Sequence, residues 1–203
     1  LRGYHRLQIH GRKNLPAQGP FVLVANHASH LDVLVLASAL PVRMRPDVFP
    51  IAAGDTFFKS PLMAVTSALF INALPIWRDG AVGHALADLR ARLASGLCVF
   101  LIFPEGTRSR DGAMGAFKAG LGMLVAGTAV PVVPCRIRGA FEALPRGRRF
   151  PRPCPIQLTI GQPLRFADVA NDRDGWASIA RRVETAVADG GGKREGGRGK
   201  AEG

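Results

Sequence analysis

What the chain lacks narrows its class before any motif is read. No stretch reaches the roughly 18–20 consecutive apolar residues that a membrane-spanning helix requires. The nearest, PLMAVTSALFINALPIW over 61–77, is uncharged but holds Asn72 and Pro75. It reads either as a buried helix followed by a strand, or as a surface lying among lipid headgroups with Trp77, Phe57 and Phe58 as anchors. Cysteine is scarce. Cys98, Cys135 and Cys154 form an odd set without close metal spacing, and the first two lie in apolar segments where a reduced thiol behaves as a small hydrophobe. Nothing in that pattern calls for an oxidising compartment or a metal site. Acid is the third deficit: 15 Asp and Glu stand against 27 Lys and Arg, a formal net charge of +12, with a pI of about 11.1. Such a surface attracts an anionic partner, which leaves nucleic acid, an anionic membrane and an acidic substrate or cofactor as classes. A single tyrosine, no zinc-finger or RNA-recognition motif, and bases placed mostly in loops and tail weigh against nucleic acid. The chain starts at Leu1 rather than methionine, and an upstream membrane-anchoring segment absent from it is part of the expectation.

What is present is ample apolar material, 47% of 203 residues, enough for one domain over 1–189. Residues 190–203 hold nothing apolar larger than alanine and are expected to be a disordered basic tail. Strand signals fall at 21–25, at VFPIAA from Val48, at 70–77 with an interrupting Pro75 that argues for an edge, at LCVFLIF over 97–103, at VPVVPCRI over 130–137 and at 156–160. Helical spacing appears behind Asp32, at 62–68 after Ser60 and Pro61, from Val82 to a stop at Gly96, at 117–126, and in a closing helix with Trp176, Ile179, Ala180, Val183 and Val187 on one face. Residues 1–18 read as an extended arm. The alternation indicates an α/β fold, a single domain with a mostly parallel or mixed central sheet flanked by helices.

The organising stretch is FVLVANHASHLD over 21–32. Five apolar residues form a strand covered on both faces, Asn26 breaks the run, and an apolar helix begins behind Asp32. Ser29 followed three residues later by Asp32 reads as an N-cap and the acidic partner of a capping box. His27 therefore stands between strand and helix. An imidazole there with a carboxylate nearby is a plausible general base, because it takes and returns protons near neutrality. The alternative is that Asp32 only caps and His27 only satisfies a loop carbonyl. His30 competes with His27, and no cysteine or second histidine cluster completes a metal site around them. Arg78 and the polar run at 105–110 also follow strand ends, where ligands of α/β folds gather.

These blocks resemble the glycerolipid acyltransferase family, the group that contains 1-acyl-glycerol-3-phosphate acyltransferase. NHASHLD at 26–32 matches its asparagine-histidine pair followed after four residues by aspartate. FPEGTRSR at 103–110 matches its phenylalanine-proline-glutamate-glycine-threonine-arginine run. NALPIWRDG around Arg78 and VPVVPCRIRG at 130–139 match two further blocks, the first more loosely.

The resemblance implies transfer of an acyl group from acyl-CoA or acyl carrier protein to the hydroxyl of a lysophospholipid, 1-acyl-glycerol-3-phosphate first among acceptors, with no tightly bound cofactor. His27 would act as base, with Asp32 orienting and charge-stabilising the ring. Arg78, Glu105, Gly106, Thr107 and Arg108 would form the acceptor and phosphate site, the guanidinium fork matching phosphate oxygens. Glu105 is implied to bind acceptor or to organise its loop, unless it only neutralises Arg108. Rival acceptors are glycerol-3-phosphate, a lyso-ornithine lipid or another lysophospholipid. A basic nucleic-acid-binding module is the distant alternative, and hydrolysis is a third reading. Arg136, Arg138, Arg146, Arg148, Arg149 and Arg152, against only Glu142, fit an anionic membrane surface. That places the expected home at the cytoplasmic face of a bacterial inner membrane, peripheral or anchored.

Overall fold

The computed structural model describes residues 1, 3–53, 74–76, 82–96 and 98–190. The helix expected at 62–68, Arg78, the aromatics Phe57, Phe58 and Trp77, and the tail at 191–203 lie outside the described residues. Seven strands form one sheet: β1 (Gln8–His10), β2 (Phe21–Ala25), β3 (Val48–Ala53), β4 (Leu74–Ile76), β5 (Val99–Ile102), β6 (Val132–Arg138) and β7 (Gln157–Ile160). They lie in the order β1-β7-β6-β2-β5-β3-β4. Every neighbouring pair is parallel except β6 with β7. The sheet is thus mixed and largely parallel, and its flanking helices make a single α/β domain.

Period-two alternation along β2 divides the core into two layers. Phe21, Leu23 and Ala25 face one cluster with Val35, Leu36 and Ala39 of α1 (Leu31–Ala39). Val22 and Val24 face the other, with Leu89 and Leu93 of α2 (Val82–Ser95), Leu121, Leu124 and Val125 of α3 (Gly120–Val125), and Ile179, Val183 and Val187 of α5 (Arg173–Ala188). All five β2 residues are buried, so the uninterrupted apolar run is what a strand covered on both faces needs. A short α4 (Ala140–Ala143) follows β6.

Prolines sit where the ladder tolerates them. Pro75 lies on β4 at the edge of the sheet, where a missing N–H is harmless. Pro50 lies in β3 at the hand-over between partners, since 48–50 pair with β5 and 51–53 with β4. Pro134 lacks a donor but its carbonyl accepts the Gly161 N–H at 2.8 Å.

One sequence expectation is corrected. The arm over 1–18 contains β1, a three-residue strand parallel to β7. It carries too few apolar residues to announce itself, and its backbone finds a ready edge instead. Trp176 lies half-buried against the second core layer, on the same face of α5 as Ile179, Val183 and Val187, and its indole N–H donates to Asn171 Oδ1 at 2.8 Å. Gly175 takes the buried place on α5, with its amide capped by Asp172.

The approach of α3 to α5 depends on a missing side chain. A Cβ on Gly122 would stand 2.3 Å from the Trp176 Cα and 2.5 Å from its carbonyl oxygen, both backbone atoms that cannot swing aside. Gly122→Ala is therefore expected to lower unfolding free energy by about 3 kcal/mol, read from urea denaturation, whereas Gly120→Ala, whose Cβ meets nothing within 4 Å, should change it little.

Candidate functional site

Parallel pairing decides what meets what. β2 and β5 run side by side with Val24 opposite Ile102, so the residues that leave their carboxyl ends emerge at one edge of the sheet. Those are His27 on one side and the 103–110 loop on the other. β6 also runs parallel to β2 and delivers its own following loop to the same edge.

The backbone of His27 is held by the loop beyond β5. Its N–H donates to Glu105 Oε1 at 2.7 Å, and its carbonyl accepts the Ser109 N–H at 2.8 Å. The ring stacks on Phe103, with centroids 4.1 Å apart and planes at 18°. On its other flank Asn26 continues the sheet with its side chain: the amide nitrogen donates to the Ile137 carbonyl at 3.0 Å, and the amide oxygen accepts the Ile137 N–H at 2.8 Å. A residue that ends the apolar run therefore fills the next rung of the β2–β6 ladder. Sequence reading missed this role, although an asparagine directly after a buried strand was the available signal.

Asp32 is both cap and partner to the ring. Its Oδ2 lies 2.9 Å from His27 Nδ1 and accepts the N–H groups of Ala28 and Ser29, each at 2.8 Å. Ser29 Oγ accepts the Leu31 N–H at 3.2 Å and donates to the Leu144 carbonyl at 2.9 Å. The capping box expected from the sequence is half met: Asp32 takes the Ser29 N–H, but the N-cap is His30 and Ser29 Oγ takes the Leu31 N–H rather than that of Asp32; the same carboxylate oxygen also lies against the imidazole. Asp32 is fully buried, while the His27 side chain keeps 12% exposure. A carboxylate only accepts, so Nδ1 carries the ring proton and Nε2 is left with a lone pair. The neutral ring in this tautomer is oriented by Asp32, with no partner on Nε2 among the described residues, which is the geometry a general base requires.

Glu105 is buried and uses both oxygens on backbone: Oε1 on His27, and Oε2 on the Gly115 N–H at 2.9 Å. Burial pushes its carboxyl above the ordinary range, and these two amides pull in the opposite direction. It forms no ion pair with Arg108, so neutralising that residue is not its arrangement. Gly106 has φ +72°, and a Cβ there would stand 2.8 Å from Lys118 Nζ. The left-handed φ calls for glycine, whereas Lys118 Nζ, the end of a flexible chain, could move aside.

Beside this loop opens a cleft of about 450 Å³, lined by Glu105, Thr107, Arg108, Arg110, Met114 and Arg146 among others. His27 does not line that cleft; it borders it through Glu105. Burial, and next the charge of Arg146, push the Arg108 guanidinium down from its usual pKa. His30 is also pushed down, by burial and then by Arg108, and it makes no contact with Asp32 comparable to that of His27. Arg136 turns toward the same region, with its Nη1 3.0 Å from the Met114 sulfur and its Nε buried without a partner among the described residues. The structure thus brings together His27, Asp32, Glu105, Gly106, Thr107 and Arg108. Arg78 lies outside the described residues; Asn26 and Lys118 are neighbours sequence reading gave no site role, and Arg146, read there as a membrane-facing base, lines the cleft. No group of three metal-ligating side chains converges among the described residues.

Comparison with known proteins agrees with this geometry. Residues 6–138 match the Acyltransferase family model. A chloroplastic 1-acyl-sn-glycerol-3-phosphate acyltransferase of Arabidopsis thaliana is 32% identical over 147 residues, covering 71% of this chain and 39% of that protein. The mouse 1-acyl-sn-glycerol-3-phosphate acyltransferase alpha is 26% identical, covering 97% of this chain and 72% of its own length. The chain spans about two fifths of the plastid relative. The crystal structure of the 1-acyl-sn-glycerophosphate acyltransferase PlsC from Thermotoga maritima superposes with a TM-score of 0.70 at 28% identity, covering 91% of this chain and 70% of that one. With its matched segment holding both the histidine-aspartate pair and the loop that clasps it, this chain belongs to the Acyltransferase family.

Proposed function

We propose that the protein moves a fatty acyl group from acyl-CoA or acyl carrier protein to the free hydroxyl of 1-acyl-glycerol-3-phosphate, forming phosphatidic acid. The observation that carries this reading is the His27–Asp32 contact at 2.9 Å, locked beside a cationic cleft. Nε2 of His27 takes the hydroxyl proton as the acceptor oxygen attacks the thioester carbon. The tetrahedral oxyanion collapses, the carbon–sulfur bond breaks, and the departing thiolate receives the proton from the imidazolium. Asp32 stabilises that imidazolium while it lasts.

Direct transfer, with no acyl-enzyme, fits the surroundings. Ser29 Oγ is fully buried and engaged with Leu144 and Leu31. Cys98 and Cys135 are buried thiols whose pKa values burial pushes up, which keeps them from acting as thiolates. Arg108, with Thr107 and the Gly106 turn, supplies the phosphate end of the acceptor site, and Arg78 is proposed as its further cation. Glu105 acts by holding the loop against His27.

An anionic membrane surface is the proposed partner, at the cytoplasmic face of a bacterial inner membrane. No helix among the described residues is long and apolar enough to cross a membrane. Phe150 is 78% exposed and is flanked in sequence by Arg148, Arg149 and Arg152, all exposed. An exposed ring among guanidiniums matches the headgroup layer, where each base contributes on the order of 1 kcal/mol.

In a thiol-release assay over a matrix of donors and acceptors, His27→Ala should abolish acceptor-dependent release. Asp32→Asn can keep an oxygen where three donors converge and put its amide at the vacant Oδ1 side; kcat should drop by roughly 10²–10⁴ with the melting curve largely retained. Wild-type activity in either variant, or a burst of thiol without acceptor, would reject the mechanism. On vesicles, Phe150→Ala together with Arg149→Ala should weaken binding in proportion to anionic lipid content; binding indifferent to that content would refute the membrane surface.

A further inference from the structure

The cleft beside the 103–110 loop holds more positive charge than its motif accounts for. Three arginines line it, Arg108, Arg110 and Arg146, together with two acids, Glu105 and Asp111. Neither acid is paired with an arginine among the described residues, although both carboxylates reduce the cleft's net positive charge. Glu105 spends both oxygens on the His27 and Gly115 amides. Asp111 accepts from Ser109 Oγ at 2.9 Å and from the Ala113 N–H at 3.0 Å, so it staples its own turn. Among the described residues, none of the three arginines forms an ion pair.

The side chain of Arg146 is exposed, but the backbone that carries it is held. The chain leaves α4 at Leu144, whose carbonyl is bonded to Ser29 Oγ, the hydroxyl that takes the Leu31 N–H at the start of α1. Arg152 N–H returns to the Ala143 carbonyl at 2.8 Å, which closes the loop at its base. Within it, Arg148 N–H donates to the Pro145 carbonyl at 3.2 Å, making Arg146 the second residue of a tight turn whose third, Gly147, has φ +90°. That value favours glycine. The turn and the Ser29 anchor therefore fix the backbone of Arg146 relative to His27 and Asp32, and its side chain reaches the cleft from there. The two guanidiniums line one cleft; burial first and the Arg146 charge second push the Arg108 group down, and an anion between them would be favoured by both.

We infer that Arg146 and Arg108 are two jaws of one clamp for a phosphate dianion, with Arg146 setting preference for a phosphorylated ligand over an uncharged one. The inference rests on the acyltransfer reading only in naming the ligand. Two sources offer this chemistry: the phosphomonoester head of the acceptor, and the terminal phosphomonoester of CoA. A neutral lyso-lipid offers nothing to the second jaw.

The test compares wild type with Arg146→Ala and Arg146→Lys. Thiol-release kinetics use 1-acyl-glycerol-3-phosphate and uncharged 1-acyl-glycerol as acceptors, and acyl-CoA and acyl carrier protein as donors. Calorimetry follows binding of glycerol-3-phosphate and inorganic phosphate. Arg146→Ala should raise KM for the phosphorylated acceptor by about tenfold to a hundredfold, leave kcat within about threefold, and leave the uncharged acceptor unaffected. Arg146→Lys should recover part of the loss, since it restores charge without the fork. If the phosphate belongs to the donor, KM for acyl-CoA rises instead, while that for acyl carrier protein does not. Unchanged KM values in every arm, with unchanged phosphate binding, would overturn the clamp. Should no donor release thiol even with wild type, the acyltransfer reading fails; calorimetry then still decides the clamp, which stands if Arg146→Ala weakens phosphate binding and falls if it does not.

Discussion

Both polar groups of the His27 peptide are claimed by one loop, the N–H by Glu105 and the carbonyl by the Ser109 amide. A residue just past the end of a strand has lost its ladder partners, and a buried backbone group left unpaired there would cost about 1–3 kcal/mol. The loop beyond β5 supplies those partners, because β5 is the parallel neighbour of β2 and ends at the same level. Holding the peptide also holds the ring, which Phe103 covers on one face. The rest of the site is arranged around this fixed peptide: the carboxylate of Asp32 on one side, the cationic cleft on the other.

Asp32 shows how a structural device and a chemical one coincide. Converging donors at the start of α1 favour a carboxylate there, since two amides and the positive end of the helix dipole all stabilise negative charge. The same oxygen then receives the imidazole. Capping and orienting are one arrangement of one oxygen rather than competing explanations, and the second oxygen, buried and without a partner among the described residues, marks where protein spacing was set by the first.

Much of this was legible in the sequence because it is local. The apolar run of β2, the break at Asn26 and the Ser29–Asp32 spacing lie within twelve consecutive positions, and each follows from strand or helix geometry. The α/β class followed from the alternation of such signals. What escaped was short or non-periodic. β1 has three residues with little burial, and its pairing partner β7 lies about 150 positions away. The FPEGTRSR run announced polar chemistry without saying that Glu105 would face backbone amides rather than Arg108.

The sequence by itself determined which residues gather at the start of α1, which alternate into the core, and which family the motif blocks resemble, because those depend on neighbours a few positions apart. Tertiary structure alone decided the pairings across the chain. His27 meets Glu105 78 positions away, Asn26 meets Ile137 at 111, and Ser29 meets Leu144 at 115. The physical reason is strand order: β5 and β6 flank β2 in parallel, so three distant loops leave one edge of the sheet together. That ordering minimises buried polar backbone and apolar exposure for the whole domain, a property of all its segments at once that no single stretch encodes.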